Sequence, residues 1–183
     1  MSCRGPFCVG GRAIVNGVVE PLAVTAVVGR LLAALEGACL DHYGARLRSL
    51  AVFGSVGRGT PRLDSDLDLL LVVDDLPRGR VPRVRDFDAV ERLAWERLAD
   101  PDMPRPRLSP VFKTPAELEE GSPLLLDMIE DARVLVDRDG LLRARLDRLR
   151  ARLAELGARR IWRGDAWYWD LKPDYRPGDV IEL

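Results

Sequence analysis

Two apolar runs, each too short for an ordinary helix, set the limits on this chain. Leu50-Ala51-Val52-Phe53 ends in Gly54-Ser55-Val56-Gly57-Arg58-Gly59-Thr60-Pro61, and the second run, Leu67 to Val73, begins just after a cluster of acids. Runs of this length bounded by turn residues read as buried strands. Around them the period changes. Pro21 can open a helix, Val24, Val28, Leu31, Leu35 and Cys39 continue it at helical spacing, and Gly44 ends it. Pro77, Gly79 and Pro82 mark a loop, after which Val84, Phe87, Val90, Ala94 and Leu98 line one face of a second helix. Leu108 to Lys113 reads as a third strand despite Pro110, Thr114-Pro115-Ala116-Glu117 has capping-box spacing, and Ser122-Pro123 opens a short helix. Arg133 to Val136 is a fourth strand. Leu142, Leu146, Leu149, Leu153 and Leu156 form an amphipathic stripe closed by Gly157, expected to face the core. The alternation predicts one α/β domain with helices on both faces of the sheet. Its parts are an N-terminal segment and helix over 1–45, a core over 46–140, and a helix with an aromatic tail over 141–183.

Composition narrows the function classes. With Lys plus Arg at 28 and Asp plus Glu at 29, the chain lacks the basic excess of a protein held on a nucleic-acid backbone, so direct nucleic-acid binding is not expected. No apolar run approaches the ~20 residues that cross a bilayer, and Met1 to Gly11 lacks a secretory signal. Three cysteines make an odd count. Cys3 and Cys8 could pair, but nothing else suggests a disulfide framework, and a reducing cytoplasm is the expectation. The single histidine, His42, rules out a multi-histidine metal site, and no nucleophile motif surrounds it. It reads as a polar residue near a helix end.

The chemistry concentrates between Gly54 and Val73. Asp66 and Asp68, two apart at the head of a strand, share one face with Cβ atoms roughly 6–7 Å apart. Two ionised carboxylates at that distance repel by ~2–3 kcal/mol at an effective dielectric of about 20. Asp64, Asp74 and Asp75 add to the negative field. A bridging divalent cation relieves it, and carboxylate oxygens are the hard ligands that Mg²⁺ takes while keeping positions for water and phosphate. The Gly54-Ser55 turn offers the complement, backbone N–H groups and a hydroxyl suited to phosphate oxygens. It is not a P-loop, because the G-K-[ST] ending is missing.

Gly54-Ser55, ten residues, then Asp66-Leu67-Asp68 resembles the signature of the DNA polymerase beta-type nucleotidyltransferase superfamily. The fuller run from Val52 to Gly59, followed by Ser65-Asp66-Leu67-Asp68-Leu69-Leu70, is similar to the minimal nucleotidyltransferases, the MNT proteins. The resemblance implies an α/β (α+β) nucleotidyltransferase fold, a mixed sheet of about four strands flanked by helices, here with an aromatic C-terminal extension. It implies transfer of a nucleoside monophosphate, AMP above all, from ATP or another NTP to a protein or small-molecule acceptor. Gly54, Ser55, Arg58 and Ser65 would contact the nucleotide. Asp66 and Asp68 would be the catalytic carboxylates, holding two Mg²⁺ ions roughly 3.5–4 Å apart. Small MNT proteins commonly act as antitoxins beside an HEPN-type ribonuclease, which makes such a protein the expected partner.

One departure stands out. The family commonly carries a third carboxylate on a later strand, and the corresponding stretch, Arg107 to Phe112, contains no acid, with Ser109 in its place. Either Glu117 swings in or the acceptor supplies its own group. The alternative is a degenerate fold that binds nucleotide and neutralises or senses a partner without catalysis. Arg78, Arg80, Arg83 and Arg85 read as a solvated surface. Trp162, Trp167, Tyr168 and Trp169 read as residues that pack the extension onto the domain, although aromatic faces can also stack on bases.

Overall fold

The computed structural model describes residues 14–15, 18–19, 21–62, 65–164 and 166–183, with side chains from residue 24 onward. Cys3, Cys8 and Asp64 lie outside the described residues. The elements are β1 (Ile14–Val15), β2 (Val18–Val19), α1 (Pro21–Tyr43), β3 (Leu47–Phe53), α2 (Gly54–Gly57), β4 (Leu67–Val73), α3 (Arg80–Leu98), β5 (Leu108–Lys113), α4 (Pro115–Glu119), α5 (Leu124–Asp131), β6 (Arg133–Asp137), α6 (Leu141–Glu155), β7 (Arg159–Arg163) and β8 (Ala166–Asp170). The central sheet has the order β5-β4-β3-β6. β4 runs antiparallel to β3 and parallel to β5, and β6 is antiparallel to β3. This is the mixed four-strand sheet flanked by helices that the motifs implied.

Strand alternation sorts the core into two layers. Leu67, Leu69, Leu71 and Val73 of β4 pack with Leu50 and Val52 of β3 against α1 and α3. Leu70 and Val72, with Ala51 and Phe53, pack on the opposite face against α4, α5 and α6. Leu142, Leu146, Leu149 and Leu153 of α6 are buried there, so the stripe read as core is core. Pro110 costs the sheet little because β5 is an edge strand, where a missing N–H leaves no central ladder bond broken.

Two boundaries differ from the sequence reading. α3 begins at Arg80 and contains Pro82, which was assigned to a loop; in the first helical turn a missing N–H removes no intrahelical bond. β3 begins at Leu47, three residues early, because the buried Ser49 is held by a 2.7 Å bond from its hydroxyl to Asp137 of β6. His42 sits in the last turn of α1, where its Nε2 lies 3.0 Å from Asp86 of α3, a helix-to-helix link as expected of a polar residue there. Cys39, also on α1, is fully buried and its thiol is pushed up to about 12 by that burial and by Glu36, which makes it inert.

Arg83 is not a solvated residue, unlike the exposed Arg78, Arg80 and Arg85. It makes two 2.8 Å bonds to the Glu117 carboxylate, and its Nε donates to the Pro77 carbonyl. Glu117 also completes the capping box of α4, accepting from the Thr114 backbone N–H. Arg83 foremost, then the Thr114 N–H, bring the Glu117 carboxyl down to about 2. A carboxyl held below its unfolded value stabilises the fold above about pH 4.5, and loses that contribution as pH falls through about 2. Glu117→Gln is therefore expected to destabilise the protein at neutral pH by about 1–2 kcal/mol, allowing for solvent screening of a partly exposed pair, and to flatten the acid limb of its pH–stability curve. Denaturant melts across pH 2–7 read both effects.

Candidate active site

The register of three strands assembles the site. Phe53 at the end of β3 pairs with Asp68 near the start of β4, and Asp68 pairs in turn with Ser109 of β5. The chain leaving β3 must turn directly above Asp68, and it does so at Gly54 with φ at +67°, a left-handed backbone that glycine adopts freely. A Cβ on Gly54 would collide with the Asp68 carboxylate, and its distance to Asp68 Cγ would be 3.3 Å. Glycine is thus required twice over, by the backbone angle and by the close approach. The short α2 that follows is wedged against the end of α5. A Cβ on Gly57 would run into the Asp131 carbonyl and come within 3.2 Å of the Val52 carbonyl.

Alternation along β4 places Asp68 on the α4–α6 face of the sheet, with Ser109 beside it on the same face. Asp66 is exposed and Asp68 half-buried. Burial raises the Asp68 carboxyl above its ordinary value, the Asp66 charge raises it further, and Arg58 opposes both. The two aspartates therefore feel each other, and Arg58 only partly balances them. That uncompensated pair of hard oxygen ligands is the observation that fits a divalent cation. Among the described residues no group of three or more Asp, Glu, His or Cys is placed to hold a metal ion.

The other expected residues are distributed as follows. The Ser55 carbonyl accepts the Thr60 N–H at 2.9 Å and closes the turn, while its hydroxyl has no partner among the described residues. Arg58 caps α2 and reaches the half-buried Asp131 at 3.5 Å. The Ser65 hydroxyl accepts the Arg62 N–H at 2.9 Å, bracing the approach to β4. Glu117 cannot join the aspartates. It sits beyond the far end of β5 from Ser109, in the capping box and the Arg83 pair. A groove of about 500 Å³ also lies there, lined by Arg80, Arg83, Phe112 and Glu117, and none of Gly54, Ser55, Asp66 and Asp68 contributes to it. The candidate site is chosen on the chemistry of the aspartates, not on the size of that groove.

Sequence reasoning missed the support around Arg58. Asp131 accepts from Arg160 of β7 at 2.9 Å, and the Arg160 guanidinium lies 4.1 Å over the Trp167 ring and 4.9 Å over Trp162. Asp127, one turn back on α5, has its carboxyl raised mainly by burial, with Arg160 and Arg58 opposing. The available signal was the i,i+4 spacing of Asp127 and Asp131. The aromatic hairpin β7–β8 therefore packs onto the domain through Trp169 and reaches the turn through the chain Arg160–Asp131–Arg58.

A glycine turn with backbone donors beside paired carboxylates on the next strand is an arrangement suited to a phosphoryl-handling α/β protein. A family model for the nucleotidyltransferase domain matches residues 32–136, more than half of the chain, and the chain belongs to that family. A Methanocaldococcus jannaschii protein that carries the name protein adenylyltransferase MJ1305 is 29% identical over 115 residues, covering 61% of this chain and 74% of that one. Among solved structures, a toxin–antitoxin complex with AMP-PNP has a TM-score of 0.40 at 16% identity, covering 73% of this chain and 92% of its own. A toxin–antitoxin MntA–HpeT structure has a TM-score of 0.40 at 14% identity, covering 76% of this chain and 94% of that chain. The protein is a transferase of the nucleotidyltransferase kind.

Proposed function

We propose that the protein is a Mg²⁺-dependent adenylyltransferase that moves AMP from ATP to a protein acceptor. The uncompensated Asp66–Asp68 pair under the Gly54 turn carries this reading, and the resemblance to an adenylyltransferase supports the choice of nucleotide. Gly54 and Ser55 hold phosphate oxygens through backbone N–H groups and the Ser55 hydroxyl, which has no partner among the described residues. Arg58, braced by Asp131, meets the negative charge of the departing pyrophosphate. Asp66 and Asp68 hold Mg²⁺, which when bound neutralises the triphosphate and favours the ionised form of the acceptor hydroxyl. Ser109, beside Asp68, orients the acceptor by a hydrogen bond but cannot take its proton, which passes to water or to a basic group elsewhere on the acceptor. The MNT-like motifs make an HEPN-type ribonuclease the first acceptor to try.

The test uses ATP labelled at the α- or the γ-phosphate, Mg²⁺, and either an HEPN-type protein or small hydroxyl acceptors. Label from the α-position should enter the acceptor with release of pyrophosphate. Transfer of γ-label, or no pyrophosphate with any acceptor, contradicts the reading. The place of Ser109 favours one second reading, a nucleotide-binding module without turnover. Ser109→Asp separates the two: it should raise an existing transfer rate, whereas a transfer seen only in the variant would show the natural chain to be degenerate.

A further inference from the structure

Arg145 of α6 is 6% exposed, and Ser49 is the only other polar residue buried among those described. Its Nε is a buried donor with no acceptor, and the side chain makes no hydrogen bond or ion pair among the described residues. The other half-hidden guanidinium groups differ: Arg83 is paired with Glu117 and Arg160 with Asp131. An arginine cannot shed its proton, and this one is set in a largely apolar wall with its Nε unpartnered, where an anion entering the cavity would supply the missing acceptor.

Arg145 lines a cavity of about 460 Å³ between α6, the loop before α5 and the C-terminal tail. The volume lies within the ~300–1,000 Å³ typical of small-molecule sites. Its other walls are largely hydrocarbon, from Pro123, Leu126, Leu149 and Leu171. Gly121 leaves the guanidinium open on one side; a Cβ there would lie 3.0 Å from Arg145 Nη2. Glu120 stands at the exposed rim and does not pair with Arg145.

We infer that this cavity is a binding site for a small monocarboxylate with an apolar body, its carboxylate on Arg145 and its hydrocarbon against Leu126, Leu149 and Leu171. A planar carboxylate matches the guanidinium fork and supplies the missing acceptors. The surrounding leucines exclude a highly charged ligand such as a polyphosphate, which would leave most of its oxygens unmatched. The site is separate from the aspartate pair and rests on no part of the nucleotidyl-transfer reading.

Octanoate is the probe, with octanol and octylamine as controls of similar length, followed by calorimetry and thermal melting of the full chain. Octanoate should bind at one saturable site and raise the melting temperature, and the two controls should not. Arg145→Met should weaken octanoate binding at least tenfold while melting no lower than the natural protein, since it removes a buried unpaired charge. Leu126→Trp, which fills the cavity and leaves the guanidinium in place, should also abolish binding. Glu120→Gln should tighten it by removing a like charge at the rim. The Asp66→Asn, Asp68→Asn double variant should bind octanoate as well as the natural chain does. Equal binding of octanol, or octanoate binding retained in either Arg145→Met or Leu126→Trp, overturns the inference.

Discussion

Replacing both Asp66 and Asp68 with asparagine is expected to lower nucleotidyl transfer by roughly 10³-fold or more, about 4 kcal/mol of lost transition-state stabilisation, while making the metal-free protein more stable. The two effects have one cause. Burial and the neighbouring Asp66 raise the Asp68 carboxyl, so its ionised form works against the fold. A carboxyl raised in the folded state takes up its proton more readily there than in the unfolded chain. The metal-free protein therefore gains stability as pH falls through that raised value, and the gain is complete below the ordinary carboxylate range. Asparagine at both positions captures that gain at neutral pH, a small one because solvent screens the exposed Asp66. Mg²⁺ should raise the melting temperature of the natural protein and leave that of the double variant unchanged. An inactive double variant that is also less stable would mean that the aspartates serve the fold instead.

The second large effect is expected at Gly54. Alanine there faces a left-handed backbone, worth about 1–2 kcal/mol, and a collision with the Asp68 carboxylate. Gly54→Ala should lose about 2 kcal/mol or more in a denaturant melt and about 10²-fold in transfer, because Asp68 is pushed out of place. The two contributions separate in a double-mutant cycle. In an Asp68→Gly background the collision disappears, and Gly54→Ala should then cost only the backbone part. A cost that is the same in both backgrounds would show that the close approach does not hold Asp68.

What could be read from the residues follows the range of the interactions involved. The β3–turn–β4 unit was evident because each part is local: apolar runs, a glycine at a turn, acids two apart on a strand. The place of Ser109 beside Asp68 was available only through the family pattern, and the strand register now supplies it from geometry. The capping-box place of Glu117 was legible because it is local, but its pairing with Arg83, 34 residues away, was not, and only that pairing shows why it cannot swing to the aspartates. The pairing of Asp131 with Arg58 and Arg160 was hidden for the same reason, since it joins three elements far apart in the chain. Pro82 misled in another way. Together with Pro77 and Gly79 it marks a loop in the sequence, although in the first turn of a helix a proline has no hydrogen bond to break, as Pro21 also shows.

If the carboxylates and the turn form one site, joined by a divalent cation and a triphosphate, nucleotide binding must depend on both the cation and the aspartates. Calorimetric titration with a non-hydrolysable ATP analogue, with and without Mg²⁺, in the natural protein and in the Asp66→Asn, Asp68→Asn variant, tests it most directly. Binding should require Mg²⁺ in the natural protein and be absent from the variant under both conditions. Binding of equal strength without the cation, or retained in the variant, would contradict the account.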